Sequence, residues 1–295
     1  MPEQPLVSVI IPVYQSWEKL DVCLQALSTQ TYPSERIEII VVNNEPKDKP
    51  RHSIQLPNLH LLHEPKAGSY AARNTGVRFA QGDVLAFCDA DCIPVPDWIE
   101  QGASYLQSWP QVSRLAGRVK LNLSNGQRCY AELYDKVFAF RQDEYARRGT
   151  SATANMFSYR KVFETIGHFR EDLFSGGDLE WGRRAQAAGW RIRYAPQVVV
   201  GHPARRTVDE LAGKARRVCS GYIELHKAHF RNRPWTATYH ALCMLKPPLK
   251  AGGMILGQTD LSFKEKIVLY CMEYYLKLIQ FKEYTRLQMG GQRRR

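Results

Sequence analysis

Two aspartates close an apolar run in LAFCDADC, residues 85–92. Alternate residues of a strand point to the same side, so Asp89 and Asp91, separated only by Ala90, can present their carboxylates together. Such a pair suits a hard divalent cation, because Mg²⁺ and Mn²⁺ take oxygen ligands and keep substrate phosphates in their shell. In a second arrangement one carboxylate holds the metal and the other a ribose hydroxyl. A solvated turn ending a strand would use the same residues. Cys88 and Cys92 flank the acids without forming a CxxC pair, and a hard cation prefers oxygen, so neither thiol is read as a ligand.

Whether the pair lies in a site depends on the elements that carry it. LVSVIIPVY (6–14) and IEIIVV (37–42) read as buried strands, and residues 58–63 as a short third one. DVLAFCDAD is a fourth, closed by Pro94 and Pro96. Between them, WEKLDVCLQALSTQ puts Trp17, Leu20, Cys23, Leu24 and Leu27 on one helical face, and residues 68–82 form a helix with Ala71, Ala72, Gly76 and Phe79 placed to pack on a sheet. Another helix follows Asp97 as N-cap. This alternation predicts βαβ units and a parallel sheet, and ligands of such sheets bind beyond the carboxyl ends of the strands. Residues 12–14, 43–44, 68–74 and 89–91 all fall there. Downstream, 114–123 reads as a strand and AELYDKVFAFRQDEYARRG as one helical stretch. A helix runs from near Asp178 to a Gly189 cap, and short strands end at His202. KPPLKAGG (246–253) reads as a linker, and 262–289 as a long helix with Phe263, Ile267, Tyr274, Leu278 and Phe281 on one face.

With 295 residues and 44% hydrophobic content the chain can bury a sizeable core. Its 41 Lys+Arg against 29 Asp+Glu give a formal charge of +12, which favours an acidic partner: a phosphorylated substrate, anionic lipid or nucleic acid. Seven scattered cysteines make neither a disulfide framework nor a zinc pattern, and fit a reducing, cytoplasmic location. The N-terminus lacks the basic region of a signal peptide. No run of about 18 uncharged apolar residues occurs, so no spanning helix is expected.

In order along the chain, VSVIIPVY, EIIVVNNEP, GSYAARNTGVRFAQGDVLAFCDADC and TANMFSYRKVFETIGHFREDLFSGGDLEWGRRAQAAG resemble the family 2 glycosyltransferases of GT-A fold, over residues 6–205. The resemblance implies an α/β fold: a Rossmann-like, mostly parallel central sheet flanked by helices, with a basic helical C-terminal extension. It implies a GT-A domain over 1–205, with a nucleotide-sugar half up to about residue 110 and an acceptor half after it, and the extension over 206–295. The implied activity is inverting, metal-dependent transfer from a nucleoside diphosphate sugar.

By the same resemblance, Pro12, Val13 and Tyr14 border the nucleobase, and Arg73 lies by the nucleotide. Asn43 stands where an Asp usually reads the base edge. An amide both donates and accepts and is uncharged, so the base stays open between UDP- and GDP-type donors. Asp89, Ala90 and Asp91 form the DxD motif, with Asp89 towards the ribose and Asp91 on Mn²⁺ or Mg²⁺. His202 matches a family histidine able to complete the metal shell. Asp178 matches the catalytic base, with Gly177 where Glu is common; an N-cap role is its plainer alternative. Glu180 is the second candidate base. Asn155, Met156, Glu180 and Trp181 are placed on the acceptor side, with packing the alternative for Asn155, Met156 and Trp181.

Residues 204–233 carry eight Lys+Arg against three Asp+Glu. Arg205, Arg206, Lys214, Arg216 and Arg217 read as a mobile basic lid over the diphosphate, as a surface for anionic lipid, or as a nucleic-acid contact. The long helix after them packs on its own domain or meets a membrane. The resemblance favours a glycan or lipid-linked acceptor, polysaccharide or glycolipid assembly, and a peripheral seat at the inner face of the plasma membrane, with no nucleic-acid partner. Two rivals remain. A nucleotidyltransferase would carry a Gly-rich basic phosphate loop where this chain has PVYQSWEKL. A basic binding module would leave the four strand-end segments unexplained.

Overall fold

A computed structural model describes residues 4–45, 55–124 and 128–292. Pro46 of the EIIVVNNEP segment and the last three arginines lie outside them. The chain forms two compact units. A sheet unit comprises Met1–Asn122, Phe140–Asp172 and Gly177–Pro203; a helical unit comprises Leu123–Ala139, Leu173–Gly176 and Ala204–Arg295.

The strands are β1 (Val7–Val13), β2 (Ile37–Asn43), β3 (Leu59–His63), β4 (Val84–Cys88), β5 (Ile93–Pro94), β6 (Arg114–Asn122), β7 (Asn155–Tyr159) and β8 (Ile192–Pro203). The helices are α1 (Trp17–Ser28), α2 (Ser69–Phe79), α3 (Trp98–Ser108), α4 (Tyr130–Phe138), α5 (Gln142–Arg147), α6 (Arg160–Ile166), α7 (Gly177–Ala187), α8 (Val208–Asn232), α9 (Pro234–Met244), α10 (Leu249–Leu256) and α11 (Phe263–Gln288).

All eight strands form one sheet in the order β3-β2-β1-β4-β7-β6-β8-β5. β3, β2, β1 and β4 are mutually parallel; β7 runs antiparallel between β4 and β6, and β5 antiparallel on β8. Six of the eight strands therefore share one direction, as expected for a mostly parallel α/β sheet. β1, β2 and β4 are covered on both faces, which is why they read as unbroken apolar runs rather than alternating ones. Val9, Ile10 and Ile11 are fully enclosed, each contributing about 1.5–3 kcal/mol of burial. α1 buries the predicted Trp17, Leu20, Cys23, Leu24 and Leu27. α2 presses so closely on the sheet that a Cβ at Gly76 would come within 2.6 Å of Ile10 Cγ2.

Several local expectations change. Phe79, the last residue of α2, stays partly exposed and meets His60 (ring centroids 5.0 Å apart) instead of the sheet. Asp97 occupies the N-cap of α3 without a capping hydrogen bond; its carboxylate accepts from Gln101 Nε2 at 3.2 Å. The stretch read as one helix over 131–149 breaks into α4 and α5 at Phe140, whose φ of 48° no α-helix continues. KPPLKAGG is linker only up to Pro248, where α10 begins.

In the helical unit α4 and α8–α11 pack through three small apolar clusters, centred on Leu211 and Leu276, on Leu133 and Leu269, and on Cys219 and Tyr284. α11 opens with a reciprocal cap: Ser262 Oγ accepts from Glu265 N at 3.3 Å and Glu265 Oε2 accepts from Ser262 N at 2.7 Å. The face of α11 read from the sequence is not the buried one. Leu269, Leu276 and Tyr284 are buried, whereas Phe263 and Ile267 are exposed. α11 carries apolar residues on most of its circumference, so periodicity had no single stripe to select.

Candidate active site

Parallel pairing brings the strand ends to one rim of the sheet unit. Val13 is opposite Asn43, and Asn43 opposite His63; on the other side Ile10 is opposite Phe87. Continuing that last register sets the 89–91 segment level with Pro12–Tyr14. Antiparallel β7 starts at the same rim, with Asn155 opposite Cys88. β5 is only two residues long, but its pairing of Ile93 with Gly201 draws Asp91 and Cys92 alongside His202. A strand-end turn and a metal handle are therefore compatible here: Cys92 N donates to Asp89 O at 3.0 Å, and that turn holds both carboxylates up, each about 30% exposed.

Asp91 Oδ1 lies 3.4 Å from His202 Nε2. The other ring nitrogen, Nδ1, is 2.7 Å from the carbonyl of Pro203. A carbonyl only accepts, so Nδ1 carries the hydrogen, and Nε2, the nitrogen left able to offer a lone pair, faces the carboxylate. Two opposed acceptors repel unless a cation or proton lies between them, and a histidine fixed by a carbonyl on its far nitrogen is the usual arrangement of a metal ligand. Phe140, at its unusual φ, packs against the ring at a tilt of 52°, with centroids 4.5 Å apart. Cys92 Sγ belongs to the same cluster, whose ligand atoms all fall within 4.8 Å of one another. Contact with Cys88 lowers the Cys92 pKa, but burial and the charges of Asp89 and Asp91 outweigh it and leave it raised. The thiol stays protonated and donates to Ala154 O at 3.7 Å, so the oxygen and nitrogen donors that suit Mn²⁺ or Mg²⁺ remain.

Asp89 forms an ion pair with Arg73. Arg73 is buried on α2, with its guanidinium 5.6 Å from the centre of the Tyr70 ring. Its charge also reaches Asp178 and lowers that pKa. Burial acts more strongly on Asp178 in the opposite sense, and the net shift is upward. Three donors aim at this carboxylate: Tyr70 Oη at 2.9 Å, Leu179 N at 2.9 Å and Thr153 N at 3.3 Å. The backbone on either side of Thr153 is held in turn by Gln142, whose side chain bonds both Ala152 and the Asn155 carbonyl. Asp178 is thus a first-turn residue of α7, but one clamped by elements far from it in sequence.

Tyr70 was not singled out from the sequence. The signal lay in Gly177: a Cβ there would come within 2.8 Å of the Tyr70 ring, so the glycine that replaces the expected acid makes room for the tyrosine. Asn44 is a second unassigned residue. Its amide donates to the carbonyls of Glu64 and Lys66 and accepts from Gly68 N, tying the end of β2 to the start of α2.

The remaining predicted residues divide in two. Tyr14 is exposed on the rim beside partly buried Pro12 and buried Val13. Asn43 is buried, with Oδ1 accepting from Glu45 N at 2.9 Å. Asn155, Met156 and Trp181 are enclosed in the core rather than on an open face. The Asn155 amide is committed to Trp98, Arg118 and Val198, and Trp181 stacks on Phe163 and donates to Gly167 O. Glu180 is tied to Arg184 at 2.8 Å, and Arg184 also binds the carbonyls of Ile166 and His168.

The sheet unit is that of a GT-A glycosyltransferase. Residues 8–167 match the model of glycosyl transferase family 2. Over 228 residues, 75% of this chain and 74% of the other, the protein is 40% identical to the glycosyltransferase AglE of Haloferax volcanii. It is 21% identical over 243 residues, 74% of this chain and 76% of the other, to the dolichyl N-acetyl-alpha-D-glucosaminyl phosphate 3-beta-D-2,3-diacetamido-2,3-dideoxy-beta-D-glucuronosyltransferase of Methanococcus voltae. Among solved structures it resembles the mannosyltransferase PcManGT from Pyrobaculum calidifontis in complex with GDP-Man and Mn²⁺, with a TM-score of 0.60 at 16% identity, covering 99% of this chain and 89% of that one. The chain belongs to glycosyl transferase family 2 and is a glycosyltransferase. Family membership decides for the transferase over the nucleotidyltransferase and the non-catalytic module.

Proposed function

We propose that the chain moves a sugar from a UDP- or GDP-type nucleoside diphosphate sugar to an acceptor hydroxyl with inversion at the anomeric carbon. The observation that carries this reading is the linking of one shielded carboxylate, Asp178, to the open Asp89 through the buried Arg73, with the second open carboxylate, Asp91, set against His202. Asp178 takes the proton from the acceptor hydroxyl as its oxygen bonds to the anomeric carbon and the bond to the diphosphate breaks. A base does this best when its pKa is drawn up towards working pH, which burial achieves here. Glu180, neutralised by Arg184, is the weaker candidate.

Asp89, Asp91 and Asp178 against the single Arg73 leave the cluster with an excess of negative charge. A diphosphate would be repelled from it without a further cation. Asp91 and His202 would hold Mn²⁺ or Mg²⁺, which as a Lewis acid neutralises the departing diphosphate. Asp89 and Arg73 orient the ribose side, Ala90 leaves space between the acids, and Pro12, Val13, Tyr14 and Asn43 border the base. The enclosed Asn155, Met156 and Trp181 shape the acceptor side from behind rather than by contact.

In this reading residues 1–205 are the catalytic region and 206–295 its extension. A lipid-linked or glycan acceptor in polysaccharide or glycolipid assembly is supported by the dolichyl phosphate acceptor in the name of the Methanococcus voltae relative. The test is a panel of nucleotide sugars scored by protection from thermal unfolding with Mn²⁺ present, followed by NMR of the product anomer. Retention of configuration, or protection indifferent to metal for every donor, would overturn the mechanism.

A further inference from the structure

The helical unit leaves an apolar face uncovered. α9 packs inward through small or partly buried side chains, Ala237, Ala241 and Met244. Its opposite side carries Trp235, Tyr239 and Leu242, spaced i, i+4, i+7 and so on one stripe. Leu249 and Leu256 repeat an i, i+7 spacing on α10, and Phe263 begins a stripe on α11 that continues through Ile267. The first six of these side chains are 55–79% exposed. Hydrogen bonds tie the three helices side by side: Tyr284 Oη to Ala237 O, Tyr274 Oη to Leu245 O and Lys266 Nζ to Leu256 O.

Charge identifies the occupant. α9 contains no charged residue, and residues 225–259 contain no Asp or Glu but five Lys+Arg. Arg233 precedes the α9 stripe, and Lys246 and Lys250 follow it, with Lys246 Nζ 5.7 Å from the Tyr239 ring centre. Tryptophan and tyrosine, bracketed by cations and free of acids, match the headgroup zone of an anionic bilayer. A water-facing surface or a protein partner would not require acids to be absent for 35 consecutive residues. α9 has 11 residues, about 16 Å of helix, and no helix among the described residues is long and apolar enough to cross a membrane. A face of this kind lies in the interface plane.

We infer that the outward face of α9 and α10, with the N-terminal turn of α11, docks the protein on an anionic lipid surface. The inference stands on the helical unit alone and goes beyond the donor chemistry proposed above. Flotation of the full chain with phosphatidylcholine vesicles, with and without phosphatidylglycerol, tests it. The protein should float with the anionic vesicles and less with the neutral ones. Combined Trp235→Ser, Leu242→Ser and Leu249→Ser should reduce flotation about ten-fold or more, and Lys246→Glu with Lys250→Glu should reduce it without touching an apolar side chain. All five positions are exposed, and nucleotide binding measured on the same samples separates loss of docking from loss of the folded enzyme. Absence of flotation by the parent chain, or undiminished flotation by both variants, overturns the inference. So does a dimer, seen by light scattering, that the serine substitutions disperse, because a second copy would then be the occupant.

Discussion

Carboxylates play opposite parts in the two units. In the helical unit they are buried against cations: Asp135 takes Arg205 at 3.0 Å and Lys214 at 3.9 Å, Glu132 takes Arg206, Glu265 takes Arg128, and Glu283 takes Arg286. Three of the basic residues read as a lid, Arg205, Arg206 and Lys214, are thus engaged by the acids of α4. Burial lowers the pKa of Lys214 to about 8 even beside Asp135, with the Arg205 charge adding to that effect. In the sheet unit, Asp89 and Asp91 are open and share few cations, and Asp178 is shielded but faces neutral donors. A buried acid with its own cation holds a fold together; an open or under-compensated acid has charge left for a ligand.

Substitutions can break this contrast. The largest expected effect is at Asp178: Asp178→Asn should cost transfer about a thousand-fold, within the range for a lost general base, while calorimetric donor binding persists. Next is a stability effect in the other unit. Asp135→Ala would strand Arg205 and Lys214 and should cost about 3–5 kcal/mol in denaturant unfolding, with metal-dependent nucleotide binding retained by the molecules that remain folded. Asp91→Ala should do the reverse. Chelation or this substitution should remove the Mn²⁺-dependent gain in nucleotide affinity, on the order of a hundred-fold, and leave unfolding nearly unchanged.

The smallest effect sharpens the contrast rather than breaking it. Tyr70→Phe removes a hydrogen bond that lowers the Asp178 pKa. The base acts only when ionised, so transfer is lost as pH falls through the folded-state value, which already lies above that of an ordinary aspartate. Without Tyr70 that value rises further. The acidic limb of the pH–rate profile should therefore move to higher pH, with kcat lost along that limb; an unmoved limb would mean that Tyr70 only packs.

What was legible in the sequence was local. Apolar runs gave β1, β2 and β4, and 3.6-residue periodicity gave the buried face of α1, because each pattern reports a strand or helix against a single buried surface. The same logic failed on α11, which has two apolar sides, and at Phe140, where a left-handed residue breaks a helical pattern. Asp89, Asp91, Asp178 and His202 stand out as candidates in the sequence because their residue types and order match a family pattern.

The sequence by itself determined the fold class, the strand ends that carry polar residues, and the identities of the acids. Only the tertiary structure decided which of those groups meet. Asp91 lies beside His202 because the two-residue β5 pairs with β8, 111 positions from one residue to the other. Asp178 is clamped because Tyr70 and Thr153 converge on it from separate elements, and its pKa is raised because the packing of those elements buries it. Tertiary packing likewise left Trp235 and its neighbours uncovered while burying Tyr284. Chain-local patterns set which side chains prefer water or shelter; desolvation and charge pairing depend on distances that exist only once remote segments are folded together.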